Sequence, residues 1–122
     1  MNNQDKVLNE LFSKPTYKFH VRELARMAKL NPNTIINITS KLEKEGIIKR
    51  ENKKHIVEIS FNSESQKAII RKKLFNLAKI YDSGLIEFLV KQYSPLFISL
   101  MGSFSKGEDV ESSDIDLSLI HI

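Results

Sequence analysis

Residues 21–50, VRELARMAKLNPNTIINITSKLEKEGIIKR, decide the fold of the first half of the chain, because they hold two helical patterns on either side of a proline. Before the proline, apolar residues recur on one helix face at Val21, Leu24, Ala25 and Ala28. After it, a second helix has its apolar stripe at Ile35, Ile38 and Leu42. Two short helices joined by a tight turn are therefore predicted.

The ends of the second of these helices carry their own signals. Either Asn31 or Asn33 is suited to cap its N-terminus, and Pro32 is tolerated in a first helical turn. Gly46 is a good C-terminal stop, because glycine adopts the left-handed conformation without strain. Two strands, 47–50 and 56–59, are predicted to follow and to form a hairpin around the charged turn 51–54.

A further helix and a short strand are predicted upstream of this segment. Asn3 or Asp5 is suited to cap the helix. Its apolar residues are Val7, Leu8, Leu11 and Phe12. Pro15 ends it, and residues 17–21 favour a short strand. The predicted order of elements in residues 1–62 is thus helix, strand, helix, helix and hairpin.

This order, together with residues 30–34 (LNPNT) and 42–48 (LEKEGII), resembles the winged helix-turn-helix families of bacterial and archaeal regulators. The resemblance implies that the third helix enters the major groove of double-stranded DNA and that the hairpin, or wing, reaches phosphates. Asparagine there can bond adenine in two places, and threonine can touch a thymine methyl group. The DNA-binding residues implied in this way are Asn33, Thr34, Asn37, Ser40, Lys41, Arg50, Lys53 and Lys54.

Some features depart from that pattern or allow another interpretation. Thr39 falls near the apolar stripe, and Ile36 points away from it, toward the predicted DNA side or its margin. The third helix has no arginine, so strong readout of guanine is not expected. Winged helices also serve as protein–protein modules, in which case the hairpin lysines belong to a solvated turn. His20 and His55 are expected to be structural or surface histidines, because their spacing does not suit a metal site.

Residues 63–94 are predicted to form two connecting helices. Ser63 is suited to cap the first. Its apolar residues are Ile69, Ile70, Leu74, Leu77 and Ala78. Residues 82–84 break this helix, and the second continues to Tyr93. The apolar stripe either pairs with its copy in a homodimer or packs on its own domain, and the basic run 71–73 either extends a nucleic-acid surface or faces solvent.

Residues 95–122 contain an apolar strand, a Gly-Ser turn, a spacer and a second apolar strand that begins with two aspartates. The first strand is predicted at 96–101, the spacer at 104–113 and the second strand at 114–120. Side chains two apart on a strand share a face, so Asp114 and Asp116 are expected to lie together. Gly102 and Ser103 leave backbone N–H groups and a hydroxyl free for phosphate oxygens.

These residues resemble the signature of the DNA polymerase β-like nucleotidyltransferase superfamily: an apolar residue, Gly, then Gly or Ser, a spacer, and Asp, apolar, Asp or Glu, apolar. The resemblance implies that Asp114 and Asp116 are catalytic residues and ligands of Mg²⁺. It also implies that Gly102 and Ser103 bind the β- and γ-phosphates of a nucleoside triphosphate (NTP).

The superfamily also uses a third carboxylate on a later strand, and residues 117–122 contain none. We therefore expect the chain to be the front part of a longer protein, and completion of the half-domain by another copy is the alternative. The chain alone is not expected to transfer nucleotides. Mg²⁺ is expected only where the nucleotidyltransferase site is completed.

Composition and charge narrow the functional class further. The chain has no cysteine, which excludes a disulfide framework and a thiolate metal site. Residues 1–61 carry twelve Lys or Arg and seven Asp or Glu, whereas acidic residues cluster after Met101. Residues 1–5 lack the apolar core of a signal peptide, and no apolar run approaches the roughly 20 residues that span a bilayer. A cytoplasmic location without a membrane partner is expected.

The predicted fold class is α+β, with a winged helix-turn-helix at 1–62, connecting helices at 63–94 and the first two strands of a nucleotidyltransferase-type sheet at 95–122. The predicted function is DNA binding, as a transcriptional regulator that carries the start of a nucleotidyltransferase domain. The alternative is a Mg²⁺-dependent transfer of a nucleoside monophosphate by the longer parent protein. An antitoxin-like role is a third reading of the same chain.

Overall fold

A computed structural model describes residues 1–95 and 97–120. Within them, helices and two small antiparallel sheets make the chain α+β, which confirms the predicted class. The chain divides into two compact units, Met1–Ala68 and Ile69–Ile122. None of the described helices is both long enough and apolar enough to cross a membrane.

The elements of the first unit alternate helices with short strands. They are α1 Asn3–Ser13, β1 Phe19–His20, α2 Val21–Ala28, α3 Pro32–Lys44, β2 Ile48–Lys53 and β3 Ile56–Phe61, followed by the start of α4 Gln66–Asp82. The second unit holds the remainder of α4 and a second pair of strands. Its further elements are α5 Leu85–Tyr93, β4 Phe97–Met101, α6 Gly102–Ser105 and β5 Asp116–Ile120.

The core of the first unit lies between the first three helices and an antiparallel sheet of order β1-β3-β2. Phe12 of α1 meets Phe61 of β3 edge to face, with ring centroids 5.7 Å apart. Each apolar side chain buried in this way stabilises the fold by roughly 1.5–3 kcal/mol. The buried apolar side chains of this unit are Val7, Leu8, Leu11, Phe12, Phe19, Leu24, Ala25, Ala28, Ile35, Leu42, Ile47, Ile48, Ile59, Phe61 and Ala68.

The helix caps agree with the sequence prediction at one of three helices. The Asn31 side chain accepts a hydrogen bond from the Asn33 backbone N–H at 2.9 Å, so Asn31 caps α3 and Pro32 opens it. At α1 the prediction of Asn3 or Asp5 is wrong, because Asn2 Oδ1 accepts from the Asp5 N–H at 2.8 Å. At α4 the Oγ of Ser65, and not of Ser63, accepts from the Ala68 N–H.

The buried stripe of α3 differs by one residue from the prediction. Ile35 and Leu42 are fully buried as expected, but the third buried residue is Thr39, and Ile38 is only half-buried. The Thr39 hydroxyl donates to the Ile35 carbonyl at 2.7 Å, which satisfies the hydroxyl and leaves a methyl group for the core. A local hydrogen bond thus lets a polar residue take an aliphatic position.

The predicted hairpin is present, with a shorter turn than expected. β2 pairs with β3 from Ile48↔Phe61 to Lys53↔Ile56, so the predicted turn residues 51–53 lie in the strand. Lys54 and His55 make the turn, and Lys54 adopts the left-handed conformation with φ 52°. The hairpin therefore extends its basic tip farther from the core than the sequence indicates.

In the second unit, β4 and β5 form an antiparallel pair with Met101 opposite Asp116. The prediction of a strand from Asp114 is wrong, because β5 begins at Asp116 and Asp114 precedes it. Residues Gly102–Ser105 form the short helix α6, where the sequence predicted an irregular spacer from 104 onward. The predicted first residue of the apolar strand, Leu96, lies outside the described residues, as do residues 121 and 122.

The buried positions of α4 differ from those predicted. Lys72 and Asn76 are buried together with Ile80. The exposed apolar side chains of α4 are Ile70, Leu74, Leu77 and Tyr81. Ile70 and Leu74 of the predicted apolar stripe are therefore exposed, whereas Ile69 is half-buried and Leu77 lines a cavity with residues of β4 and β5. Lys72 does not lie on the solvated face that its charge indicated.

Candidate functional site

The exposed side of α3 carries a continuous set of polar groups. Asn33, Asn37 and Lys41 recur every four residues and are exposed, while Thr34 and Ser40 at their sides are half-buried. We call Asn33, Thr34, Ile36, Asn37, Ser40 and Lys41 the α3 face. The buried stripe of the helix lies on its other side, so the core fixes which residues point outward. The structure thus brings all five predicted residues of this helix to one surface.

The three predicted DNA-binding cations of the hairpin differ in their exposure and in their ion pairs. Arg50 is half-buried, its Nη1 lies 4.0 Å from Glu43 Oε1, and its Nε is buried without a hydrogen-bond partner among the described residues. Lys53 Nζ lies 3.8 Å from Glu51 Oε2 and 3.6 Å from Glu58 Oε1. Lys54, at the exposed tip, forms no ion pair within residues 1–95 and 97–120. Of the three, Lys54 is the cation best placed to meet an external anion.

An open groove of about 500 Å³ lies between the start of α2, the start of α3 and the tip of the hairpin. Its basic and imidazole side chains come from His20, Arg22 and His55. The remaining lining is mainly apolar, from Val21, Pro32, Ile36, Ile56 and Val57. Periodicity does not place these residues together, because β1, α2, α3 and the hairpin are separate in the chain and meet only in the folded protein. Two histidines that were expected to be structural or surface residues thus share a groove with an arginine.

A small network fixes the start of α2 beside this groove. The Tyr17 hydroxyl donates to Glu23 Oε2 at 2.5 Å, and the His20 backbone N–H donates to Glu23 Oε1 at 3.3 Å. The hydrogen bond from Tyr17 lowers the pKa of Glu23, and the same bond raises the pKa of Tyr17. Glu23 is therefore held as a carboxylate that accepts from the backbone at the start of α2.

In the second unit, the structure brings Gly102 and Asp116 together. Gly102 has φ +78°, and a Cβ added there would lie 2.6 Å from Asp116 Oδ2. The carboxylate thus sits directly against backbone that only a glycine leaves open. Ser103 follows in α6 and is half-buried, whereas Asp114 is exposed and lies before β5. Strand alternation therefore does not place Asp114 beside Asp116.

The loop after α6 is attached to α4 by a buried ion pair that the sequence analysis missed. Lys72 Nζ lies 3.3 Å from Asp109 Oδ1 and also donates to the Asp109 carbonyl. Asn76 Nδ2 donates to Asp109 Oδ1 at 2.8 Å and to the Phe104 carbonyl at 3.1 Å. Desolvation lowers the pKa of Lys72, against the opposing effect of Asp109. These contacts attach the segment 104–109, which follows Gly102, to α4 at both of its ends.

The fit of this region to Mg²⁺ is limited by the number of oxygen ligands. The described residues contain no group of three or more His, Cys, Asp or Glu side chains that could hold a metal ion. Asp114 and Asp116 are the two predicted ligands, and Mg²⁺ can bind through one or two carboxylates when substrate phosphates supply further oxygens. The site therefore suits Mg²⁺ only in company with a phosphate ligand.

No family model, no curated protein and no solved structure matches this chain.

Proposed function

We propose that this protein is a cytoplasmic DNA-binding protein of the winged helix-turn-helix type that acts as a transcriptional regulator. The observation that carries the proposal is the α3 face, on which Asn33, Asn37 and Lys41 are exposed together. The hairpin and the groove beside this helix supply further basic groups. In this interpretation residues 1–62 are the DNA-binding domain.

The α3 face has the chemistry that reads base edges in a major groove. An asparagine amide donates to N7 and accepts from N6 of adenine in a bidentate pair, and two such amides lie about one turn apart at Asn33 and Asn37. Residues at the N-terminal end of a recognition helix are the ones that reach the bases. Lys41, about two turns from Asn33, is suited to a phosphate at the edge of the groove.

The hairpin and groove supply the charge that favours binding to any DNA sequence. Lys54 and Arg22 are exposed, so a phosphate meets them without first displacing a carboxylate within the described residues. Arg50 and Lys53 already face Glu43, Glu51 and Glu58, so their contribution to phosphate binding is reduced. Each cation that does contact a phosphate adds about 0.9 to the slope of log K against log salt concentration.

The test is a titration of fluorescently labelled duplex DNA with the full chain, at several salt concentrations between about 50 and 200 mM. Lys54→Ala is expected to weaken binding to all duplexes and to lower the salt slope by about 0.9. Lys91→Ala, an exposed lysine of α5, is the matched control and is expected to change neither quantity. Absence of binding at low salt contradicts the proposal and favours a protein–protein role for this domain.

A second variant separates sequence readout from charge. Asn37→Ala removes one amide from the α3 face without changing the net charge, and Asn3→Ala removes another exposed amide from α1. Asn37→Ala is expected to weaken binding to selected sites by about tenfold, within the roughly 1–3 kcal/mol of one base contact, and to leave non-specific binding unchanged. Equal effects of the two variants would remove α3 from the reading surface.

We further propose a homodimer through the connecting helix α4. Its exposed apolar side chains, Ile70, Leu74, Leu77 and Tyr81, follow the alternating four- and three-residue spacing of a coiled-coil seam. Their exposed fractions, 55, 58, 39 and 71 %, leave much of this stripe in water in the single chain. A second copy would cover each stripe with an identical one, and a dimer of winged helices suits a DNA site with two half-sites.

A second candidate function is nucleotidyl transfer by a longer parent protein, and the contact between Gly102 and Asp116 favours it. A phosphate bound at the backbone of Gly102 and Ser103 would lie beside the Asp116 carboxylate, which calls for a bridging cation. Mg²⁺ held by Asp116 and the phosphate oxygens would supply charge neutralisation for an in-line displacement at a nucleotide phosphate. Asp114, the other predicted ligand, precedes β5, and strand alternation does not place it beside Asp116. The test is NTP binding by the chain with and without Mg²⁺. Asp116→Asn is expected to abolish the Mg²⁺-dependent part, and unchanged binding in that variant contradicts the assignment.

A further inference from the structure

One member of the α3 face is apolar. Ile36 is 41 % exposed and lies at the margin of the outward side of the helix, beside Ser40, where it also lines the open groove. The core of the first unit uses Ile35, Thr39 and Leu42 instead, so Ile36 is not needed to bury this helix. An exposed isoleucine is common on protein surfaces, but this one lies within the surface that is proposed to face the bases.

The position of Ile36 restricts what it can contact. In a major groove, the apolar group that a base edge presents is the C5-methyl group of thymine. The other features of the base edges there are hydrogen-bond donors or acceptors, which an isoleucine cannot satisfy. Burying Ile36 against cytosine, guanine or adenine would therefore remove hydration from polar groups without replacing it.

The neighbours of Ile36 have matching chemistry. Asn33 and Asn37 are suited to adenine, the partner of thymine in the pair. The α3 face has no arginine for guanine and no carboxylate for cytosine. Glu43, the first acidic residue of α3, lies beyond this face and is within 4.0 Å of Arg50.

We infer that Ile36 is a thymine-reading residue: its side chain contacts the C5-methyl group of a thymine in the major groove, and α3 thereby selects sites that contain A·T pairs. The inference rests on the proposed DNA binding and names the sequence class that is bound. Burial of one methyl or methylene group contributes about 0.8 kcal/mol, which corresponds to about a fourfold change in the dissociation constant.

The experiment compares two duplexes that differ only in this methyl group. The full chain is first used to select a preferred site from a pool of random duplex DNA. The selected duplex is then prepared with uracil in place of thymine at each position in turn, which removes the methyl group and keeps the base pairing. The ratio of the two dissociation constants is measured for the wild type, for Ile36→Ala and for Ile70→Ala, which truncates an exposed isoleucine of α4.

The wild type and Ile70→Ala are expected to bind the thymine duplex about fourfold more tightly at one or two positions, and Ile36→Ala is expected to bind both duplexes equally. Because each ratio is taken within one protein, any loss of folded protein cancels. Equal affinity of the wild type for both duplexes overturns the inference but leaves DNA binding intact. A ratio that persists in Ile36→Ala assigns the methyl contact to another residue and also overturns it. Failure to bind any duplex overturns the proposed function as well.

Discussion

Replacement of Asp109 by asparagine tests whether the buried pair with Lys72 holds the second unit together. Lys72 Nζ and Asp109 Oδ1 lie 3.3 Å apart, and the two side chains are 1 % and 12 % exposed. The asparagine amide keeps the size and planarity of the native carboxylate while removing its charge. The desolvated Lys72 ammonium would then lose its closest carboxylate, and Glu111, a weaker electrostatic partner of Lys72, would remain.

The size of the effect follows from the geometry. Two unit charges 3.3 Å apart attract by about 5 kcal/mol at an effective dielectric constant of about 20. Removal of one partner of a buried ion pair costs about 3–5 kcal/mol, because the other charge stays desolvated, so we expect Asp109→Asn to lower the free energy of unfolding by about 3 kcal/mol. Lys72→Met is expected to lower it by only about 1 kcal/mol, because Asn76 still donates to Asp109 Oδ1 at 2.8 Å.

The chain offers a matched control for this measurement. Lys91 and Glu87 of α5 form a pair at 3.2 Å, nearly the same distance, but both side chains are 73 % exposed. Glu87→Gln is expected to change stability by less than about 0.5 kcal/mol. The assay is urea unfolding followed by amide hydrogen exchange of residues 69–120, so that the second unit is measured separately. Similar losses for Asp109→Asn and Glu87→Gln would refute the reasoning, because burial would then have no part in the effect.

Three further predictions concern the second unit. Gly107→Ala is expected to destabilise it by more than about 2 kcal/mol, because Gly107 has φ +70° and an added Cβ would lie 2.5 Å from the Ile69 carbonyl oxygen. Gly84 has a similar φ of +80° but open space around it, so Gly84→Ala is expected to cost only about 1 kcal/mol. Equal losses of stability in urea unfolding would contradict the close packing at Gly107. Because the pKa of Lys72 is lowered from 10.5, folded protein binds fewer protons than unfolded protein between the lowered pKa and 10.5. The stability of the wild type relative to Lys72→Met should therefore rise with pH in that window, and a fall would contradict the burial. Leu74→Asp is expected to give a folded monomer in analytical ultracentrifugation, because Leu74 is 58 % exposed in the single chain and is not part of its core. An unchanged dimer would exclude α4 as the interface.

The parts of the fold that depend on local signals could be predicted from the sequence. Asn31 and Pro32 mark the start of α3, and the apolar residues of α1 follow one helical stripe into the core. Thr39 could not be placed from its residue type, because its burial depends on a hydrogen bond to the Ile35 carbonyl. A pattern that counts threonine as polar assigns the third buried position of α3 to Ile38 instead.

The features that were missed depend on partners distant in the chain. Lys72 belongs to a run of three basic residues, and such a run usually indicates a solvated face. Its carboxylate partner lies in a loop 37 residues later, a distance that periodicity cannot bridge. The groove lined by His20, Arg22 and His55 was missed for the same reason, because the start of α2 and the hairpin tip are distant in the chain and adjacent in the fold.

The residues of the candidate sites could be named from the sequence more readily than their arrangement. The exposed positions of α3 follow from its buried stripe, since a helix with a fixed apolar side has a fixed polar side. Asp114 was paired with Asp116 on the assumption that the strand includes both, and β5 starts too late for that argument, at Asp116 itself. Strand ends depend on pairing with β4, which a single sequence does not specify.

The most direct test of DNA binding through α3 is a map of backbone amide shifts. The uniformly ¹⁵N-labelled chain is titrated with the selected duplex, and amide resonances are followed by heteronuclear correlation spectroscopy. DNA binding through α3 predicts the largest shifts in residues 33–44, at the hairpin tip around Lys54 and beside the groove at Arg22, with little change in residues 69–120. Shifts confined to residues 69–120, or none at duplex concentrations that saturate binding, would contradict it.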